Sequence, residues 1–157
     1  DAEWAEAQHH PDPDTALDHI YSDSPFPKEK EYKSISKQIV IVDAINHALH
    51  EEMVLNEKMV IYGQDIADPK GGVFTATKGL SEKFGNKRVF NSPLAESSII
   101  GTAVGMAIAG YKPVVEIQFG DYIWTAMMQI RNEVVTMRYR SNNDWAFVVF
   151  IYPKTWK

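Results

Sequence analysis

Short apolar runs at residues 59–63, 88–90, 114–119 and 146–151 alternate with stretches whose apolar residues recur every three or four positions. Met59-Val60-Ile61-Tyr62-Gly63, apolar until its glycine, suits a strand buried on both faces that delivers a loop, residues 64–75, at its carboxyl end. Ile39, Val42, Ile45, Ala48, Leu49 and Val54 predict an amphipathic helix over 39–55, with Ser34 or Ser36 as its cap. Further helices are expected over 77–84, stopped by Gly85, over 97–109, ended by Gly110, and over 121–139. Strands that alternate with helices imply an α/β fold, a parallel sheet with helices on both faces. In such sheets ligands sit at the carboxyl ends of the strands, so the loops at 64–75, at 91–97 and just after Gln118 are expected to share one edge.

Residues 1–36 lack this order. Pro11, Pro13, Pro25 and Pro27 lie among acidic and polar residues, which reads as a linker or tail ahead of a folded domain at 37–157. Of the 157 residues 45% are hydrophobic, enough for a core. A net charge of -5 gives no electrostatic reason to expect nucleic acid or an anionic membrane as partner. With no cysteine, disulfides, thiolate metal sites and a cysteine nucleophile are excluded. The apolar runs fall well short of the roughly 20 residues that span a bilayer, and residues 1–10 lack the pattern of a signal peptide.

Glu96 is the most informative charge. It follows Asn91-Ser92-Pro93-Leu94-Ala95, where strand turns to helix, and precedes a stretch almost free of polar groups from 99 to 109. By pattern alone it either caps the helix start or serves a ligand. Gly101, Gly105 and Ala109 lie on one helix face at four-residue spacing; a dinucleotide fingerprint needs glycines before the helix, so this ridge points to close helix packing. Gln118, Phe119 and Tyr122 offer an amide, a ring and a hydroxyl to a ligand, or belong to core and rim. His47 and His50, beside Glu51 and Glu52, lack a third metal ligand and read as a solvated face. Asp65 and Asp68 lack the rest of a calcium loop, and Arg138 and Arg140 suit a helix end.

The ordered motifs Gly71-Gly72-Val73-Phe74, Lys78-Gly79-Leu80, Phe84-Gly85, Arg88-Val89-Phe90-Asn91, Pro93-Leu94-x-Glu96 and Ile100-Gly101 resemble the beta subunits of the decarboxylating component of 2-oxoacid dehydrogenases. Glu116-Ile117-Gln118-Phe119-x-Asp121-Tyr122-Ile123, followed by Gln129-Ile130, Asn132-Glu133 and Arg138-Tyr139-Arg140-Ser141, resembles the branched-chain (2-oxoisovalerate) type more than the pyruvate type. The resemblance covers residues 40–150 and implies the thiamine diphosphate-binding fold of the transketolase pyrimidine-binding domain, here truncated.

It also implies roles. Glu96 would hydrogen-bond a ring nitrogen of the cofactor's aminopyrimidine and share a proton there near neutral pH, helped by apolar surroundings that disfavour its charge. Gln118 and Tyr122 would lie near the pyrimidine, with Phe74 and Leu94 as wall residues. The resemblance places magnesium and the diphosphate on an alpha subunit or a fused alpha part, since no Gly-Asp-Gly motif occurs here. Residues 1–35 faintly resemble the trailing end of such an alpha part. The whole would carry out oxidative decarboxylation of branched-chain 2-oxoacids and pass the acyl group to a lipoyl acyltransferase component. It would do so in the cytoplasm of a bacterium or in the mitochondrial matrix of a eukaryote. A pyruvate dehydrogenase, a transketolase-type enzyme and a noncatalytic assembly module are the rival readings. Residues 151–157 depart from the family pattern, so this chain alone is expected to be an inactive fragment. A sheet without its final strands exposes an edge and apolar surface, so the isolated chain is expected to self-associate. Light scattering checks this, a monomer being the contrary result.

Overall fold

The computed structural model describes residues 1–21, 38–145 and 150–153, the last four by their backbone. Strands β1 (Met59–Gly63), β2 (Val89–Asn91), β3 (Lys112–Ile117) and β4 (Phe150–Pro153) form one sheet in the order β2-β1-β3-β4, and every pairing is parallel. Ile61 stands opposite both Val89 and Val114, and Val115 opposite Ile151. Of the fourth strand expected over 146–151, residues 146–149 lie outside the described residues.

The two-residue period of a strand sorts the side chains onto two faces. Tyr62, Val115 and Ile117 pack on one face against Ile99, Ile100 and Ala103 of α4 (Glu96–Ile108), with Phe90 at the margin. Met59, Ile61 and Val89 pack on the other against Met53 of α2 (Ile41–Leu55) and Leu80 of α3 (Leu80–Phe84). Each fully buried aliphatic side chain contributes about 1.5–3 kcal/mol relative to exposure. The α/β class, the parallel sheet and helices on both faces are therefore as expected.

Several boundaries differ from expectation. Helix α2 begins at Ile41 with an extended Val40 in the cap position; Ser34 and Ser36, the caps expected from sequence, lie outside the described residues. Helix α3 starts at Leu80 rather than 77, because Gly79 adopts φ 79° and the Thr77 hydroxyl is given to the Ile66 carbonyl at 2.8 Å. Helix α4 ends at Ile108. Gly110 then turns left-handed at φ 86°, its N–H reaching Ala107 O and that of Tyr111 reaching Met106 O, each at 3.0 Å; this is the glycine stop expected there.

The long helix expected over 121–139 is not continuous. It is a 3-10 segment Gly120–Ala126, α5 (Met127–Gln129), a π turn Ile130–Val134 and α6 (Met137–Arg140). Side chains claim carbonyls that a regular helix needs: Thr125 Oγ1 donates to Tyr122 O at 2.8 Å, and Thr136 Oγ1 and Arg140 Nη1 both donate to Asn132 O. Within residues 1–21, α1 (Ala2–Glu6) and a 3-10 turn Pro13–Leu17 form without burying any side chain. The rest of the expected linker, 22–36, lies outside the described residues. Among the described residues no helix is long and apolar enough to cross a membrane.

The loop after β1 is tied down by Asp68, whose carboxylate accepts from Gly79 N (2.7 Å), Ser81 N (3.2 Å), Ser81 Oγ (2.6 Å) and Glu82 N (3.3 Å), capping α3 from across the loop. Burial opposes its charge, but these hydrogen bonds outweigh burial and hold the carboxyl below its usual range. Asp68→Ala is expected to cost about 1–2 kcal/mol, the scale of a lost helix cap. Because folding depresses this pKa, the contribution is present above the ordinary carboxylate range and lost as pH falls through the folded value. The gap between wild type and variant in urea unfolding should thus be full at neutral pH and shrink below about pH 4.

Candidate cofactor site at the carboxyl edge of the sheet

Parallel β1, β2 and β3 all end on the same edge, at Gly63, Asn91 and Ile117, so the three loops expected to meet do meet. Ser92 N donates to Gly63 O and Ala67 N to Asn91 Oδ1, each at 2.8 Å, which ties the first two loops together. Gln118, buried just past β3, donates through Nε2 to Gln64 O at 3.3 Å and to Asp65 Oδ2 at 3.1 Å. Asp65 also pairs with Lys70 at 2.7 Å, and the bond from Lys70 is the main influence holding its carboxyl below the usual range.

Glu96 opens α4, where Ala95 supplies no side-chain cap. Its Oε1 accepts from Gln64 Nε2 at 3.1 Å, from the loop after β1, and its Oε2 accepts from Thr125 Oγ1 at 3.1 Å, from the segment after β3. The apolar surroundings expected to favour its neutral form do not dominate. A hydrogen bond from its own backbone N–H has the largest influence, and with those from Gln64 and Thr125 it outweighs burial, so the carboxyl titrates below its ordinary value. Both carboxyl oxygens of Glu96 are thus held by side chains from two other segments, at the first residue of α4.

Three aromatic rings from the loops at this edge meet one another. Phe119 meets Phe74 edge-on at 6.0 Å between centroids and Tyr122 at 5.3 Å. Leu94, the other expected wall residue, is 82% exposed. Gln64 and Thr125 were not singled out from sequence. The one signal for Gln64 was its position directly after a buried strand; Thr125 gave none, because its place depends on how the 3-10 segment folds back over α4.

The other candidates separate from this edge. His50 lies edge-on to Phe84 at 5.4 Å and touches Lys83 Nζ. Among the described residues no group of three or more His, Cys, Asp or Glu is arranged to hold a metal ion. Gly101 lies under α5, where an added β-carbon would meet Gln129 Oε1 at 3.5 Å, whereas one at Gly105 would meet nothing within 4 Å. The small-residue ridge is therefore used within the chain at its first position and open at its second.

Residues 37–148 match the transketolase pyrimidine-binding domain family. The chain belongs to this family. It is 47% identical over 110 residues to the 2-oxoisovalerate dehydrogenase subunit beta of Bacillus subtilis (strain 168), covering 70% of this chain and 33% of that one. The pyruvate dehydrogenase E1 component subunit beta of the same organism is 41% identical over 114 residues, covering 73% of this chain and 35% of that one. A 2-oxoisovalerate dehydrogenase subunit beta 2, mitochondrial, of Arabidopsis thaliana is 44% identical over 109 residues, 69% of this chain and 30% of that one. The chain thus spans about a third of the length of these curated relatives, and the resemblance read from its motifs holds, including the lean towards the branched-chain type.

Proposed function

We propose that this chain is the pyrimidine-binding part of a thiamine diphosphate-dependent 2-oxoacid dehydrogenase acting on branched-chain 2-oxoacids, with residues 37–157 as that domain and 1–36 as a linker or the end of an alpha part. The observation that carries the reading is the placement of Glu96: a carboxylate at the carboxyl edge of a parallel sheet, held by Gln64 and Thr125 beside an amide and a set of rings. These groups fit an aminopyrimidine. Glu96 meets a ring nitrogen. Both donor contacts of Gln118 go to Gln64 O and Asp65, so what it offers the ring's amino group is its carbonyl oxygen. Phe74, Phe119 and Tyr122 give a flat heterocycle its wall, with Leu94 at the rim.

Once bound, the thiamine supplies a nucleophilic carbon and an electron sink for decarboxylation. Glu96 would share a proton with the ring nitrogen, and its position would set which edge of the pyrimidine faces the substrate. Gln118 orients the ring, and the aromatic wall excludes water from it.

Magnesium and the diphosphate would be held by the alpha part and the acyl group taken by a lipoyl acyltransferase component. An exposed apolar row supports a large partner surface: Trp124 (71% exposed), Met128 (64%) and Val135 (69%) follow one another at four- and seven-residue steps. Either an alpha part or a second copy of the chain would cover it. The proposed setting is the cytoplasm of a bacterium or the mitochondrial matrix of a eukaryote, a reading supported by relatives of both bacterial and mitochondrial description. The similarity to pyruvate dehydrogenase subunits keeps pyruvate as the second substrate to test.

Carbon dioxide release from 3-methyl-2-oxobutanoate and from pyruvate, with and without thiamine diphosphate and magnesium, tests the reading on the complete protein. Release is expected only with cofactor, greater for the branched substrate, and lowered at least about a hundredfold in Glu96→Gln. Full activity in that variant would leave an assembly role for the domain.

A further inference from the structure

We propose that Gln64 is a positioning residue for Glu96: its side-chain amide fixes the carboxyl group in the plane from which it meets the pyrimidine. The proposal rests on the reading of Glu96 as the cofactor's partner.

The two side chains that hold Glu96 are not equivalent. Thr125 has a single hydroxyl hydrogen, and its Oγ1 lies 3.1 Å from Glu96 Oε2 but 2.8 Å from Tyr122 O, so that hydrogen is divided, with the carbonyl the nearer acceptor. Gln64 Nε2 has Glu96 Oε1 as its acceptor at 3.1 Å. Their settings differ too: Gln64 is buried just past β1, its carbonyl accepting from Gln118, while Thr125 is exposed on a 3-10 segment. A glutamate side chain has three torsions to fix, and a donor on a rigid strand end fixes them better than a shared donor on an irregular turn.

The other ionisable groups around the start of α4 are engaged elsewhere. Asp65 is turned to Lys70 and Gln118, the Tyr62 hydroxyl donates to Ile99 O at 2.7 Å, and Glu133 pairs with Arg140 at 3.6 Å. Glu116 lies on the opposite face of β3 towards Gly72, and Asp121 and Tyr122 are exposed on the 3-10 segment. The electrostatic state of Glu96 is therefore governed by its own N–H and by burial, which opposes its charge, and then by Gln64 and Thr125.

The test is a carbon-13 NMR titration of glutamate-labelled complete protein without cofactor, the Glu96 signal being assigned by its loss in Glu96→Gln. Wild-type Glu96 is expected to titrate below the ordinary glutamate value. Gln64→Leu should move it up by about half to one pH unit, and Thr125→Val by less. Gln64→Glu has the same shape with the donor removed, and should raise it by about one unit or more, as two carboxyl groups come to share a proton. With cofactor bound, Gln64→Leu should lower kcat about tenfold and leave the KM for the 2-oxoacid within about twofold. An unmoved Glu96 titration in Gln64→Leu and Gln64→Glu, or in Gln64→Glu alone should the leucine variant not fold, would overturn the proposal. The two ideas fail separately: wild-type turnover by Glu96→Gln sinks the cofactor reading, while the titration still decides whether Gln64 holds Glu96.

Discussion

The close parallel approach of β1 and β3 is the constraint on which the rest of this fold depends. Gly63 ends β1 opposite Glu116, and a β-carbon there would lie 2.5 Å from the Glu116 carbonyl oxygen, inside any real contact distance. With glycine the strands close in register, Gln64 emerges next to Gln118, and the loops that follow are tied together at once. A larger residue would push the strand ends apart at the edge where the chemistry is proposed. The missing side chain of one glycine thus sets the spacing of side chains on three different segments.

The parts of the structure legible in the sequence are those decided by burial. Met59 to Gly63 is apolar at every position before its glycine because both sheet faces are covered, and such a run has few structural alternatives. The stop at Gly110 was legible for a similar reason: a left-handed residue is required and glycine supplies it cheaply. Helix α3 and the segment after β3 were misjudged where short-range hydrogen bonds compete with the helix. Thr77, Thr125 and Thr136 each give their hydroxyl to a carbonyl, and nothing in hydrophobic periodicity records which threonine will do so.

The site divides along the same line. Glu96 stood out because a lone carboxylate between a turn and an apolar helix is unusual, and the family motifs around it reinforced that. In the free chain its electrostatics do not follow the apolar character of α4, which describes the face turned to the sheet and not the first turn where the carboxyl lies. There the local N–H and two side chains from elsewhere decide the outcome. Gln64 and Thr125 are 32 and 29 residues from Glu96 in sequence, and only the folded sheet edge brings them to it.

Asp68 and Glu96 set a structural carboxylate beside the one proposed to meet the cofactor. Both are associated with the start of a helix, and hydrogen bonds hold both below the usual titration range. Asp68 receives three backbone N–H groups and one hydroxyl from residues 79–82, so its lone pairs are saturated by the helix it caps. Glu96 accepts one side-chain donor on each oxygen, Gln64 from just past β1 and Thr125 from the 3-10 segment after β3. A cap needs donors from the helix alone. Supporting donors from separate segments at a sheet edge, with acceptor capacity left over, are what a group needs if it must keep one geometry while exchanging a proton with something that comes and goes.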